Sequence, residues 1–200
     1  MKKQLFILFL FLFSQIVFAK EFPWELKKNE AGIEVHVRKV EGSPILEYKG
    51  RMTVDVPLEQ VIAFYDENRM TEWFHQCVES RFLEDRGPDE KVLYFVIDLP
   101  WPVKDRDLGY RRLRSVDPAT GVVEYHISAL PDIYPKQEGR VRMPSLKGIW
   151  RFTPLEGGRT EVYYQQHSDV GGHIPAVLVN RLAVDIPFNS LSNFRKLLTR

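Results

Sequence analysis

The 200-residue chain has one cysteine, Cys77, so no internal disulfide can staple it. Neither sign of charge prevails: 28 Lys and Arg stand against 27 Asp and Glu, a formal net charge of +1. A chain so balanced has no basic excess to neutralise nucleic-acid phosphates, and none for bulk attraction to an anionic membrane. Internal repeats, linkers and low-complexity tracts are missing. So are the G-x-S-x-G elbow and the P-loop. The five histidines include His75-Gln76-Cys77 and His167-Ser168-Asp169. Both have metal-binding atom types, but neither has zinc-ligand spacing and no second cluster completes a site. No metal and no cofactor is therefore expected.

Aromatic residues make up 12% of the chain, and such rings either fill a core or line an apolar cavity. The one long apolar run is at the start. Lys2 and Lys3 precede Leu5 to Phe13, the run continues through Ile16, Val17 and Phe18, and Val17 and Ala19 occupy the small-residue positions of a leader cleavage site. Ser14 and Gln15 interrupt the run, which is too short for the ~20 residues of a membrane span. Residues 1–19 thus read as a signal peptide and residues 20–200 as one exported domain, expected in the periplasm. Without Lys2 and Lys3 the 28 basic residues become 26, one fewer than the 27 acidic ones, a net charge of −1.

Along the mature chain, Phe22-Pro23-Trp24-Glu25-Leu26 reads as a short amphipathic helix. Ile33, Val35 and Val37 alternate with Glu34, His36 and Arg38, a period of two that marks a strand with one buried face. After the turn at Glu41-Gly42-Ser43-Pro44, a second strand places Leu46, Tyr48, Met52 and Val54 on one face. Pro57 opens a helix with its stripe at Leu58, Val61, Ile62 and Tyr65. From Val78 to Val170 about six strands alternate with turns at Arg86–Asp89, Asp117–Gly121 and Gly157-Gly158, an antiparallel meander. Pro175 to Arg200 returns to helical periodicity, with Leu178, Val179, Leu182 and Ile186 on one stripe and Pro187 expected to kink it. A curved antiparallel sheet gripping a long terminal helix is an α+β helix-grip fold, and imperfect packing between the two leaves an apolar cavity.

Several motifs sharpen this. Pro100-Trp101-Pro102 precedes Asp105-Arg106-Asp107; Gly139-Arg140-Val141-Arg142 and Gly148-Ile149-Trp150 follow; Asp169-Val170-Gly171-Gly172-His173-Ile174-Pro175 leads into the final helix. In order and spacing these resemble the START (steroidogenic acute regulatory protein-related lipid transfer) family over roughly Phe22 to Arg200. The resemblance implies a tunnel for one phospholipid, sterol or fatty acyl lipid, transient membrane contact, a monomer and no catalysis. It sets the sterol carriers' buried arginine at Arg112. Their acid falls near Leu93, leaving Asp98 as a poor match.

Arg112 shares a period-two face with Leu108 and Tyr110, so it either reaches a ligand or stands in solvent beside Arg111 and Arg114. Asp98 either pairs with it inside the cavity or ends its strand at the surface. Trp73, Tyr94, Tyr125, Trp150, Tyr164, Leu178 and Leu182 either line the cavity or pack the core. Arg106, Asp107, Asp169, Gly171, Gly172 and Pro175 read as structural, with Arg106 paired to Asp169 and Gly171-Gly172 as a hinge. The alternative is a helix-grip cyclase or hydrolase using Asp98, Tyr125 or His126 as acid or base.

Overall fold

A computed structural model describes residues 22–199; the leader and its cleavage site lie outside the described residues. The order of elements departs from expectation at once. Glu25–Glu30 is a strand, β1, and not a helix. It pairs antiparallel with β2, Ile33–Val40, with Glu30 opposite Ile33. The two residues between them, Ala31 and Gly32, both have positive φ (51° and 71°), the backbone of a tight two-residue hairpin turn. Alanine rarely takes that conformation, so only half of the turn signal is visible in the sequence.

Strand β3, Ser43–Val54, continues the meander, and Ile33, Val35, Val37, Tyr48, Met52 and Val54 are buried as their alternation predicts. Helices α1, Leu58–Asp66, and α2, Met70–Trp73, follow. Pro57 caps α1 instead of entering it, and Val61, Phe64 and Tyr65 are its buried residues. Seven strands come next: β4 Cys77–Asp85, β5 Glu90–Ile97, β6 Arg106–Val116, β7 Val123–Ala129, the two-residue β8 Val141–Arg142, β9 Ser145–Leu155 and β10 Arg159–Asp169. The chain ends in α3, Ala176–Leu198.

Nine strands form one antiparallel sheet in the order β1-β2-β3-β10-β9-β7-β6-β5-β4, and β8 adds a short parallel pair to β6. This is the helix-grip fold. Its sheet curls around α3, whose 23 residues span about 35 Å. A Cβ on Gly50 would sit 2.7 Å from Leu191 Cδ1 and 3.4 Å from Pro187 Cβ, so the absence of a side chain there lets α3 settle onto β3. Helix α3 continues through Pro187, which is buried on the sheet-facing side. Among the described residues no helix is long and apolar enough to cross a membrane.

The second half of α3 and helices α1 and α2 enclose an aromatic cluster. Trp150 stacks on Tyr164 at 4.1 Å and meets Trp73 edge-on at 5.4 Å; Phe194 meets Trp73 and Phe64, each at 5.0 Å. These pairs follow the edge-to-face and offset geometries that ring quadrupoles favour.

Candidate functional site

Under the first half of α3 the packing fails to close. A cavity of about 460 Å³ lies between Leu178, Val179, Leu182, Ala183 and Ile186 of the helix, Ile45, Leu46 and Tyr48 of β3, Phe95 and Ile97 of β5, and Leu99 to Val103 in the loop that follows. Met143, Val170 and Ile174 complete an apolar wall; Gln166, Ser168, Arg106, Arg181 and Asp185 are its polar members. A small void of about 20 Å³ lies against the aromatic cluster and shares Phe95 and Gln166 with the larger cavity. A hollow of about 550 Å³ at Asp66, Phe82, Asp85, Pro88, Lys91 and Arg114 is larger but opens broadly to solvent between charged side chains, so it can desolvate little.

Two clamps hold the cavity's roof. Asn180 of α3 accepts the backbone N–H of Leu46 at 2.9 Å and donates to the Pro44 carbonyl at 3.1 Å. Arg106 donates to the carbonyls of Val170 and Gly171, both at 3.0 Å, and to that of Lys104. Arg106 therefore does not pair with Asp169, whose carboxylate accepts the Gly171 N–H at 2.8 Å in a turn of its own. Gly171 and Gly172 have φ of 65° and 70°, as the turn before α3 requires. A Cβ on Gly171 would lie 3.0 Å from the Arg142 carbonyl, so the backbone is closely packed at that position. Pro175 caps α3 and its carbonyl accepts the Leu178 N–H.

Of the expected lining residues, Leu178 and Leu182 border the large cavity, while Trp73, Trp150 and Tyr164 border the small void. Tyr94 points to the other side of β5. There its hydroxyl donates to Asp107 at 2.9 Å, receives Arg140 at 3.0 Å, and is pushed up to about 12 by burial. Asp107 is gripped by Arg142 through two hydrogen bonds of 3.0 and 2.9 Å. Burial raises its pKa, but the bonds from Arg142 and Tyr94 outweigh this and hold the carboxyl below its ordinary value. With this cluster on its second face, β5 is covered on both sides, and Val92 to Ile97 are buried at every position and not at alternate ones.

Of the two alternatives for Arg112, the solvated one does not hold: it is buried on the inward face with Leu108 and Tyr110, but at the closed end of the sheet. It donates to Asp66 Oδ1 at 3.0 Å, and Tyr125 donates to Asp66 Oδ2 at 2.9 Å. Its guanidinium also lies 5.1 Å from the Tyr65 ring and 5.3 Å from that of Tyr125. Asp98 is exposed, and the expected Asp98–Arg112 pair is not formed. The register explains why. Arg112 stands opposite Lys91, seven residues before Asp98 and so about 23 Å from it along the strand. His126 is exposed beside Glu124. Asp98, Tyr125 and His126 thus occupy three separate places and assemble no acid–base site. Among the described residues no three of His, Cys, Asp and Glu gather as metal ligands.

The cavity's own hydrogen-bond chain escaped the sequence reading. Tyr48 and Tyr164 hydroxyls lie 2.9 Å apart, and Tyr164 donates to Gln166 Oε1 at 2.6 Å. Burial raises both tyrosines well above their ordinary pKa, so they are neutral donors and not bases. The available signal was the shared period of Val162, Tyr164, Gln166 and Ser168 on β10, where two polar residues end an apolar face.

Residues 21–200 match the START domain family. An uncharacterized protein of Pseudomonas aeruginosa is 35% identical over 173 residues, covering 86% of this chain and 85% of its own. The phosphatidylcholine transfer protein of Mus musculus is 26% identical over 180 residues, covering 86% and 80%. The crystal structure of a STAR-related lipid transfer protein fragment from Xanthomonas axonopodis superposes with a TM-score of 0.81 at 33% identity, over 88% of this chain and 99% of that one. Human StAR-related lipid transfer protein 5, at 17% identity and a TM-score of 0.78 over 88% and 86%, shares the fold.

Proposed function

The chain belongs to the START domain family, and from that premise we propose that it holds one lipid beneath the first half of α3 and carries it between membranes. The observation that carries this is the cavity: about 460 Å³ of space, walled mostly by aliphatic side chains, within the size range of ligand sites. Each methylene buried there is worth about 0.8 kcal/mol, so ten of them contribute roughly 8 kcal/mol before the costs of immobilisation. The residues weighed as acid or base for a cyclase or hydrolase, Asp98, Tyr125 and His126, are not among those that line the space.

Entry requires the roof to lift, which breaks the Asn180 or Arg106 clamps. Trp101, on the cavity rim, is 92% exposed, and Val177 and Leu178 at the start of α3 are also exposed. We assign these three to transient contact with the bilayer interface, where an amphipathic tryptophan is at home. We further propose a monomer, and, from the leader pattern of residues 1–19, export to the periplasm with a mature N-terminus at Lys20, which sequencing of the mature chain would check.

The test is uptake of phosphatidylcholine, a sterol and a fatty acid, each offered in vesicles, with Ala183→Trp as control. Ala183 is buried on the cavity side of α3, so an indole there fills the space. At least one lipid is expected to bind at one per chain, and the variant to bind it at least tenfold more weakly. Equal binding by the variant would place the ligand elsewhere.

A further inference from the structure

Trp73 is 1% exposed, and its indole N–H is among the few buried polar groups without a hydrogen-bond partner. Tryptophan can only donate, so the missing partner is an acceptor. A buried donor left unmatched costs about 1–3 kcal/mol, which a native core seldom tolerates without reason. Trp73 borders the 20 Å³ void, and that volume exceeds the 10–15 Å³ or so needed to admit one water-sized oxygen.

Gln166 borders the same void and the large cavity. Its carbonyl is occupied by the Tyr164 hydroxyl, itself in contact with Tyr48. With the Tyr164 hydroxyl donating to Oε1, the Gln166 NH₂ has no partner among the described residues. Phe95 is the other residue common to both spaces, so Phe95 and Gln166 form the partition between them. No lining residue of the void carries a charge. The Arg112 guanidinium, 5.1 Å from the ring of the void-lining Tyr65, is already engaged by Asp66.

We propose that Trp73 Nε1–H and Gln166 Nε2–H together receive one neutral oxygen at the inner end of the cavity, so that the ligand is a lipid whose leading end carries a hydroxyl or carbonyl. This rests on the lipid-binding reading above and names the class of lipid. An anionic or phosphorylated leading end is disfavoured, because a charge brought into the void meets no countercharge and pays its desolvation in full. The hydrocarbon follows into the aliphatic cavity behind it.

The test compares hexadecanol with hexadecane, two probes of equal chain length that differ by one oxygen. Wild type is expected to bind the alcohol about tenfold more tightly than the alkane once their difference in water-to-hydrocarbon transfer is subtracted. Trp73→Phe and Gln166→Leu are each expected to erase most of that preference and to change alkane binding by less than about threefold. The indole proton of Trp73 in unmodified, ¹⁵N-tryptophan-labelled protein provides a readout that needs no variant to fold: it should move downfield with the alcohol and stay put with the alkane. An unchanged preference in the variants, or an indole signal indifferent to the alcohol, would mean that the void holds a water only and would overturn the assignment. Equal binding of both probes would overturn it while leaving the lipid reading intact. Failure of both probes and of every vesicle lipid to bind would end the lipid reading itself, and this assignment with it.

Discussion

The two halves of α3 lie along one sheet and meet it differently. From Pro187 to Leu198 the helix presents Leu191 and Phe194, both fully buried, to Gly50, Trp73, Trp150 and Phe64, and ring packs against ring. From Ala176 to Ile186 it presents Leu178, Leu182 and Ile186 to a space they do not fill. Close packing demands interdigitating shapes, and the aromatic half supplies them; the aliphatic half stands off from β3 and β5 and is held by polar clamps at Asn180 and Arg106. The closed half therefore stores stability, and the open half is where a ligand and a moving roof belong.

The sharpest way to break that contrast is to truncate one residue in each half. Trp150→Ala should lower folding stability by about 3–5 kcal/mol in urea denaturation, and Leu182→Ala by about 1 kcal/mol or less, because Leu182 already faces unfilled space. Similar losses would erase the distinction.

Next in size is Asp66→Ala. It strands the buried Arg112 and removes the acceptor of Tyr125, at the closed end, with an expected cost of about 2 kcal/mol and no change in lipid affinity. A loss of lipid binding without a loss of stability would return Arg112 to the ligand.

Acid tests the scaffold beneath both halves. Asp107 has its folded pKa depressed, so its contribution is complete above the ordinary aspartate value near 4 and is lost as pH falls through the lower folded value. The stability difference between wild type and Asp107→Asn should accordingly shrink as pH drops below about 4. A gap that widens on acidification would contradict the assignment.

The smallest stability effect is expected from Trp101→Ala, within about 0.5 kcal/mol of wild type, since the ring is almost wholly in solvent. Its effect should appear instead as several-fold slower transfer between vesicles. Unchanged transfer would remove Trp101 from the membrane contact.

What the sequence disclosed follows the range of the interactions. Alternation in β2 and β3, the turns at Arg86–Asp89 and Gly157-Gly158, and the stripe of α3 are local patterns, and each lies where it reads. Strand β1 hid because Ala31 adopts a backbone better suited to glycine. Arg112 could be put on one face with Leu108 and Tyr110, but neither the direction of that face nor its partner could be read, because the partner, Asp66, is 46 residues earlier on another element. Leu178 and Leu182 were visible as cavity candidates from their helical stripe. Gln166 was not: a glutamine in a strand reads as surface until the neighbouring helix is seen to stand away from it.

The most direct test of the central claim is native mass spectrometry of the protein purified from its own host, followed by solvent extraction of what it carries. The account predicts one lipid per chain, displaced in Ala183→Trp. A protein that is empty, and that takes up no phospholipid, sterol, fatty acid or fatty alcohol when offered them, would contradict it.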